Sequence, residues 1–168
     1  MKRLFTYVAL TLSLAACGFT PMLADRGDDG GVTSDFSRVE VASAQDRLSQ
    51  LVRNALLDDL NPYGESTAPQ YHLDLVLSEE TEGFGFRSDE SVTRINYRLE
   101  ASYRLIDLAD GALLTEGTVR SNMAYDVVTS DFANFSADQD ARQRTANQIA
   151  SIIVNRLGLY FRSENSTP

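Results

Sequence analysis

The sequence predicts an α+β domain of two layers, in which two helices pack on one face of a roughly four-stranded, mostly antiparallel sheet. Residues 71–125 alternate apolar and polar side chains, which is typical of strands with one buried face. Residues 44–60 and 136–160 repeat apolar side chains every three or four positions, as amphipathic helices do. With a short strand before them, the predicted order is β-α-β-β-β-α in a single domain over residues 35–162.

The first two elements are a short strand in "DFSRVEVA" (35–42) and a helix over 44–60. Ser43 is the expected N-cap of this helix, and Asn61-Pro62 is expected to end it. The predicted buried stripe of the helix consists of Leu48, Leu51, Val52, Ala55 and Leu56.

The middle of the chain reads as three strands. Alternation over 70–77 predicts the first, "GFGFRSDE" (83–90) reads as a loop, and residues 95–105 and 113–125 form a hairpin. A three-residue loop over 109–111, with Gly111 in the left-handed conformation, keeps the apolar faces of the hairpin matched. This register pairs Leu108 with Ala112, Arg104 with Glu116 and Glu100 with Arg120.

The last element is a helix that we expect to begin at a capping box formed by Ser136 and Gln139. Residues 163–168 are polar and are expected to form a disordered tail. The apolar stripe of the helix consists of Ala141, Thr145, Ile149, Ile152, Ile153, Leu157 and Tyr160.

Residues 1–16 read as a signal peptide, with Lys2 and Arg3 before an apolar run that is short for a membrane span. The run ends in "LAAC", which resembles the bacterial lipobox, and Cys17 is the only cysteine of the chain. We therefore expect Cys17 to carry a covalent diacylglycerol and fatty acid, which would hold the protein on a membrane. Residues 17–34 would be the tether. The alternative is an ordinary signal peptide with a buried cysteine.

The composition argues against several functions. The formal net charge of −9 makes the chain a poor binder of nucleic acid, and we expect no nucleic-acid partner. His72 is the only histidine and lies in a predicted strand, and no Cys/His cluster or glycine-rich phosphate loop is present in the sequence. No catalytic residue, metal site or cofactor other than the lipid is expected.

The sequence resembles the LptE family of lipopolysaccharide-assembly lipoproteins, also called rare lipoprotein B. The resemblance rests on the lipobox joined to "CGFTP", the element order, the hairpin "SVTRINYRLEASYRLIDLADGALLTEGTVR" and the closing helix "DQDARQRTANQIASIIVNRLGLYF". It implies an outer-membrane lipoprotein on the periplasmic face, which plugs the β-barrel translocon LptD, assists its assembly and contacts lipopolysaccharide. Gly18, in place of aspartate, favours the outer membrane. The alternative is a periplasmic adaptor that stabilises another envelope complex, and an envelope hydrolase is disfavoured.

Two sets of side chains are candidates for binding. Phe84 and Phe86, among glycines, are candidates for contact with the barrel wall, although they could instead form a lid on the core. The polar face of the hairpin is the candidate surface for the phosphates of lipopolysaccharide, with Arg94 and Arg98 expected to be least neutralised. A merely solvated, ion-paired face is the alternative. The lipopolysaccharide candidates are Arg87, Arg94, Arg98 and Arg120, with Arg104 on the same side.

Overall fold

The computed structural model describes residues 32–42, 45–62, 68–86 and 92–164. The predicted signal peptide, Cys17 and Arg87 lie outside these ranges, as does all of the predicted tether except residues 32–34. The described elements are helix α1 (Val32–Phe36), strand β1 (Val39–Val41), helix α2 (Arg47–Leu60), strands β2 (Tyr71–Phe86), β3 (Val92–Asp107) and β4 (Leu113–Asp126), and helix α3 (Asp131–Glu164).

The four strands form one sheet in the order β1-β2-β3-β4. β1 pairs with β2 in parallel, whereas β2–β3 and β3–β4 are antiparallel. The parallel pair follows from the chain path, because α2 lies between β1 and β2 and returns the chain to the same end of the sheet. The predicted α+β fold, with its order β-α-β-β-β-α, is confirmed apart from the additional short helix α1.

One face of the sheet is covered by helices and forms the core. On β3 the inward residues alternate with polar ones, as the pattern predicts for a half-buried strand. α3 packs on β3 and β4, and α2 packs on α3 and on β1. The buried inward residues of β3 are Tyr97, Leu99, Ala101, Tyr103 and Leu105.

The end of the core that includes β1 is closed by aromatic side chains. The ring of Phe161, from the last turns of α3, lies 6.1 Å from that of Phe36 and 5.1 Å from that of Tyr71. The Nδ2 of Asn61, which caps the C-terminus of α2, donates to the carbonyl oxygen of Val39 at 3.1 Å. These contacts attach α1, α2 and β1 to the same end of the sheet.

The helices begin at residues other than the predicted ones. The N-cap of α2 is Asp46 rather than Ser43, because the Asp46 carboxylate accepts from the Ser49 N–H at 2.9 Å. Helix α3 begins at Asp131 rather than at a capping box with Ser136. Its first turn is closed by Ser130, whose Oγ accepts from the Ala133 N–H at 3.4 Å. At the other end α3 runs to Glu164, two residues into the predicted tail.

The predicted loop at 83–90 is wrong in its first half. Residues 83–86 belong to β2, and Gly83 pairs with Ile95 and Phe86 with Val92. Gly85 has a φ of 76°, and its carbonyl oxygen accepts from the Thr93 Oγ1 at 2.9 Å. The glycines therefore allow an irregular strand end and do not stop the pairing.

The β3–β4 hairpin follows the predicted register over most of its length, including Glu100 opposite Arg120 and Arg104 opposite Glu116. Gly111 has the predicted left-handed φ of 73°. The pairing of Leu108 with Ala112 is wrong, because Ala112 accepts from the Asp107 N–H at 2.9 Å and the Leu108 N–H donates to Gln70. The register of the two strands shifts between Leu105 and Ile106, and this irregularity accounts for the different pairing next to the turn.

Within the described ranges, neither long helix combines the length and the apolar content that crossing a membrane requires.

Candidate functional site

Most of the predicted site residues that the structure describes lie on the face of the sheet that no helix covers. Even-numbered residues of β3 from Arg94 to Arg104 point to this outer face, opposite to the inward residues of the core. Carboxylates occur on the neighbouring strands at matching positions. The structure thus brings Arg94, Arg98, Arg104 and Arg120 together on one surface, as the sequence predicts.

Two of these arginines pair with carboxylates directly across the sheet. The Arg94 Nε lies 3.0 Å from the Asp126 Oδ1, on β4, and the Arg98 Nη1 lies 2.5 Å from the Glu80 Oε2, on β2. The expectation that Arg94 and Arg98 are the least neutralised is therefore wrong. It failed because the pairing of β2 with β3 and the end of β4 were not predicted, and these supply the carboxylates.

The other two arginines are also paired. Arg120 forms an ion pair with Glu100, as the predicted register requires. Arg104 is aligned with Glu116 but bonds instead to the Asp74 Oδ2, on β2, at 3.0 Å. The described outer-face arginines therefore form a ladder of exposed ion pairs, and an anion would bind there by displacing a carboxylate.

Phe84 lies next to this ladder. It is directly opposite Arg94 in the β2–β3 register, and 41% of its surface is exposed. The structure therefore places an accessible aromatic ring and a guanidinium group at the same end of the sheet. Phe86 is the last residue of β2, opposite Val92. Contact of either phenylalanine with a barrel wall remains a prediction.

His72 joins β1 to β2. Its Nδ1 lies 2.6 Å from the Glu40 Oε1, on β1, and its Nε2 lies 3.3 Å from the Asp74 Oδ1. A histidine held between carboxylates of two neighbouring strands is a structural link, and it has no neighbouring nucleophile among these contacts. In the described ranges no three His, Cys, Asp or Glu residues are grouped closely enough to hold a metal ion.

A second polar group lies on the inner face and was not predicted. The buried Tyr97 donates its hydroxyl to the Glu79 Oε2 at 2.9 Å, and the Arg142 guanidinium lies 4.8 Å from the centre of the Tyr97 ring. Arg142 also pairs with Glu79 and, at 2.9 Å, with Asp138. Burial first, and then the bond to Glu79, raise the pKa of Tyr97 well above its ordinary value.

This group borders a cavity of about 330 Å³ between the N-terminus of α2 and the first turns of α3. The spacing of Asp138 and Arg142 is that of an i,i+4 pair on a helix, so their contact could have been predicted from the sequence. Glu79 is 63 residues from Arg142 in the chain, and its contact with Arg142 depends on the tertiary fold.

Three exposed apolar side chains were also missed. Val128, Phe132 and Phe135 lie between the end of β4 and the second turn of α3. A helix predicted to begin at Ser136 left Phe132 and Phe135 outside any element, so their proximity on the first two turns of α3 was not predicted. The signal that could have found the true start was Ser130 before an acidic Asp131.

Comparison with solved structures supports the fold. A candidate lipoprotein from Caulobacter crescentus CB15 is 25% identical and aligns with a TM-score of 0.65, covering 78% of this chain and 96% of that one. The rare lipoprotein B from Shewanella oneidensis is 14% identical, with a TM-score of 0.58 and coverage of 76% and 96%. The minor lipoprotein from Acinetobacter baumannii is 13% identical, with a TM-score of 0.53 and coverage of 72% and 88%.

A search of curated protein sequences finds no match. The model of the LptE family, described as lipopolysaccharide-assembly, matches residues 36–157, which include every described strand and most of α3. This match confirms the family resemblance, and the chain belongs to the LptE family of lipopolysaccharide-assembly proteins.

Proposed function

We infer that the protein is a lipoprotein of the outer membrane, held on the periplasmic face, and that it is the plug subunit of a lipopolysaccharide translocon. In this role it assists the assembly of an LptD-like β-barrel and the insertion of lipopolysaccharide at the cell surface. The observation that carries the proposal is the family match over residues 36–157. The similarity to rare lipoprotein B of Shewanella oneidensis is in keeping with it.

The chemistry of the described surface suits binding better than catalysis. The outer face presents paired arginines and an exposed aromatic ring, and its one histidine is held by two carboxylates. Such groups recognise partners by shape and charge, and they supply no nucleophile with its own base. We therefore assign the protein no enzymatic activity.

Affinity purification in mild detergent tests the role as a plug. We expect an outer-membrane β-barrel to co-purify in a stoichiometric amount, and Phe84→Ala combined with Phe86→Ala to reduce its recovery without changing the melting temperature. A large fall in melting temperature would instead place these rings on the core. Recovery of an inner-membrane or peptidoglycan partner in place of the barrel would support the adaptor function and contradict the plug.

The anchor is tested on Cys17 itself. Acylation requires its thiol, so Cys17→Ser should leave the protein unprocessed or released into the periplasm. Intact mass spectrometry of the mature protein should find a diacylglycerol and a fatty acid on residue 17. A mature N-terminus at any other residue would contradict the anchor.

Lipopolysaccharide binding is proposed for the outer face, through Arg94 and Arg98 with Arg120 and Arg87 as further candidates. Because Arg94, Arg98 and Arg120 each have a carboxylate partner, phosphate must displace a weak, exposed ion pair. Replacing Arg94 and Arg98 with glutamate should weaken binding of lipopolysaccharide micelles in a salt-sensitive manner.

Arg144→Glu is the matched control for this experiment. Arg144 is also exposed and ion-paired, to Asp140 at 2.9 Å, but it lies on α3 and not on the sheet. The control changes the net charge by half as much as the double variant, so a loss in the control of half the size or more would reduce the effect to net charge. Unchanged binding by a folded double variant would remove the site.

A further inference from the structure

An apolar patch is exposed where β4 leads into α3. It consists of Val128, Phe132 and Phe135, whose exposed fractions are 49%, 79% and 60%, and we call it the α3 entry patch. Phe132 and Phe135 are three positions apart in a helix and are therefore neighbours on its surface. Single exposed apolar residues are ordinary, but these three lie close together, two on the first turns of α3 and Val128 in the segment before it, and they form a surface that favours contact with a partner.

The backbone of the patch is held in place. The Val128 N–H donates to the Asn134 Oδ1 at 2.9 Å, and the Asn134 Nδ2 donates back to the Val128 carbonyl oxygen at 2.8 Å. Ser130 caps the same turn. The patch is thus organised before any partner arrives, which reduces the entropy lost on binding.

The patch lies on the first turns of α3, before the turns that line the cavity beside α2. Phe132 and Phe135 are exposed there, whereas Asp138 is half-buried and Ala141 is the first buried residue of the helix. The first turn of α2 lines a cavity together with Asp138 and Arg142, so α2 begins level with these residues. Phe132 lies about 9 Å further along the axis, at 1.5 Å per residue.

The surroundings of the patch are acidic. From Ser121 to Ala141 the chain carries four aspartates and no lysine, arginine or histidine. Over the described segments at this end of the fold, 79–86, 92–98 and 122–144, seven carboxylates face four arginines, a net charge of −3. A surface of this sign repels anionic lipid headgroups and attracts cations.

We propose that the α3 entry patch binds a basic amphipathic segment of a partner protein. The apolar side chains of that segment would cover Phe132, Phe135 and Val128, and its lysines or arginines would face Asp126 and Asp131. Asp126 is strongly exposed even though it pairs with Arg94, and Asp131 lies in the first turn of α3. This site would bind a cationic segment, whereas the arginine face is proposed to bind anionic phosphates. The proposal does not require that the partner be the β-barrel.

Two synthetic amphipathic peptides with the same leucine pattern test the proposal, one with lysines and the other with glutamates on its polar face. Their binding to the purified full chain is followed by fluorescence anisotropy at low and high salt. The lysine peptide should bind saturably and more weakly at high salt, and the glutamate peptide should bind about tenfold more weakly or not at all.

Phe132→Ala combined with Phe135→Ala should reduce the affinity for the lysine peptide by about tenfold or more, because two large apolar contacts are lost. Leu159→Ala is the matched control, since Leu159 is an equally exposed apolar residue near the other end of α3. Asp131→Arg should weaken binding of the lysine peptide without removing any apolar contact.

Equal binding of the two peptides, or undiminished binding by the folded double variant, would overturn the proposal. So would binding of phosphatidylglycerol vesicles that depends on the same two phenylalanines, because it would make an anionic lipid the ligand. Co-purification of a barrel is a separate measurement, so either proposal can fail without the other.

Discussion

The two faces of β3 use the same strand for different purposes. On the inner face Tyr97, Leu99 and Leu105 are fully buried beneath helices. On the outer face Arg94 and Arg98 pair with carboxylates of the neighbouring strands and remain in contact with solvent. Burying a large apolar side chain contributes about 1.5–3 kcal/mol, whereas an exposed ion pair contributes about 0–1 kcal/mol. The inner face therefore sets the stability of the fold, and the outer face can change its sequence to suit a partner.

Leu99→Ala should have the largest effect on stability. The side chain is fully buried at the centre of β3, so its truncation leaves a cavity and should cost about 2–5 kcal/mol. Urea denaturation followed by circular dichroism measures the loss. A cost below about 1 kcal/mol would mean that the inner face is loosely packed and would remove the contrast between the faces.

Tyr97→Phe tests the hydrogen bond on the inner face between β3 and Glu79 of β2, beside Arg142 of α3. The phenol donates to Glu79, so its removal should cost about 0.5–1.5 kcal/mol at neutral pH. Glu79 keeps its pairing with Arg142, which limits the loss. Glu79→Gln in the Tyr97→Phe background completes a double-mutant cycle, and a coupling energy near zero would contradict a specific Tyr97–Glu79 contact.

The same tyrosine predicts a pH dependence. Burial and Glu79 raise the pKa of Tyr97 above the ordinary value of 10.0, so the folded protein keeps a proton that the unfolded chain has released. Stability from this source is complete below pH 10 and falls as the pH rises above it. Tyr97→Phe should flatten that decline in part, because the pKa values of Tyr71, Tyr125 and Tyr160 are raised as well. An unchanged slope in denaturation experiments above pH 10 would contradict this assignment.

Arg120→Ala should have a small effect on stability. The mutation removes an exposed ion pair with Glu100, which is worth about 0.2–1 kcal/mol and should be weaker at high salt. Urea denaturation at two salt concentrations measures both quantities. A salt-independent loss larger than about 2 kcal/mol would show that the outer face is part of the stabilising core after all.

Val76→Thr should have the smallest effect. Val76 lies on the outer side of β2 and is 70% exposed, and threonine has the same branched shape. The change in free energy of unfolding should stay within about 0.5 kcal/mol. A larger loss would indicate that the outer face contains an apolar contact that its exposure does not reveal.

The sequence predicted those parts of the fold that depend on local periodicity. Alternation identified β3 and β4, and the matching of their apolar faces and opposite charges aligned Glu100 with Arg120, although the pairing next to the turn differs from the prediction. The predicted boundaries of the elements are wrong where the local composition favours one structure and the tertiary contacts favour another. Gly83 and Gly85 read as a loop, yet both lie in β2 because β3 offers a paired neighbour along that stretch.

The candidate site was predictable as a surface but not in its charge balance. The arginines of the outer face share one side because the strand period is two. Their partners Asp74 and Glu80 come from β2, and no local pattern in the sequence predicted the register of β2 against β3. Long-range contacts of this kind, like that of Glu79 with Arg142, form only in the assembled sheet and cannot be predicted from local sequence.

The placement of β1 at one edge of the sheet has a consequence for the order in which the chain assembles. β2, β3 and β4 are consecutive, and each antiparallel pairing closes a short connection. β1 pairs with a partner 32 positions away, Val39 with Tyr71, and the chain must first fold α2 between them. Closing the longer loop costs more entropy, so a three-residue strand gains little until the rest is in place. We therefore expect β1 to join last during folding and to detach first during unfolding.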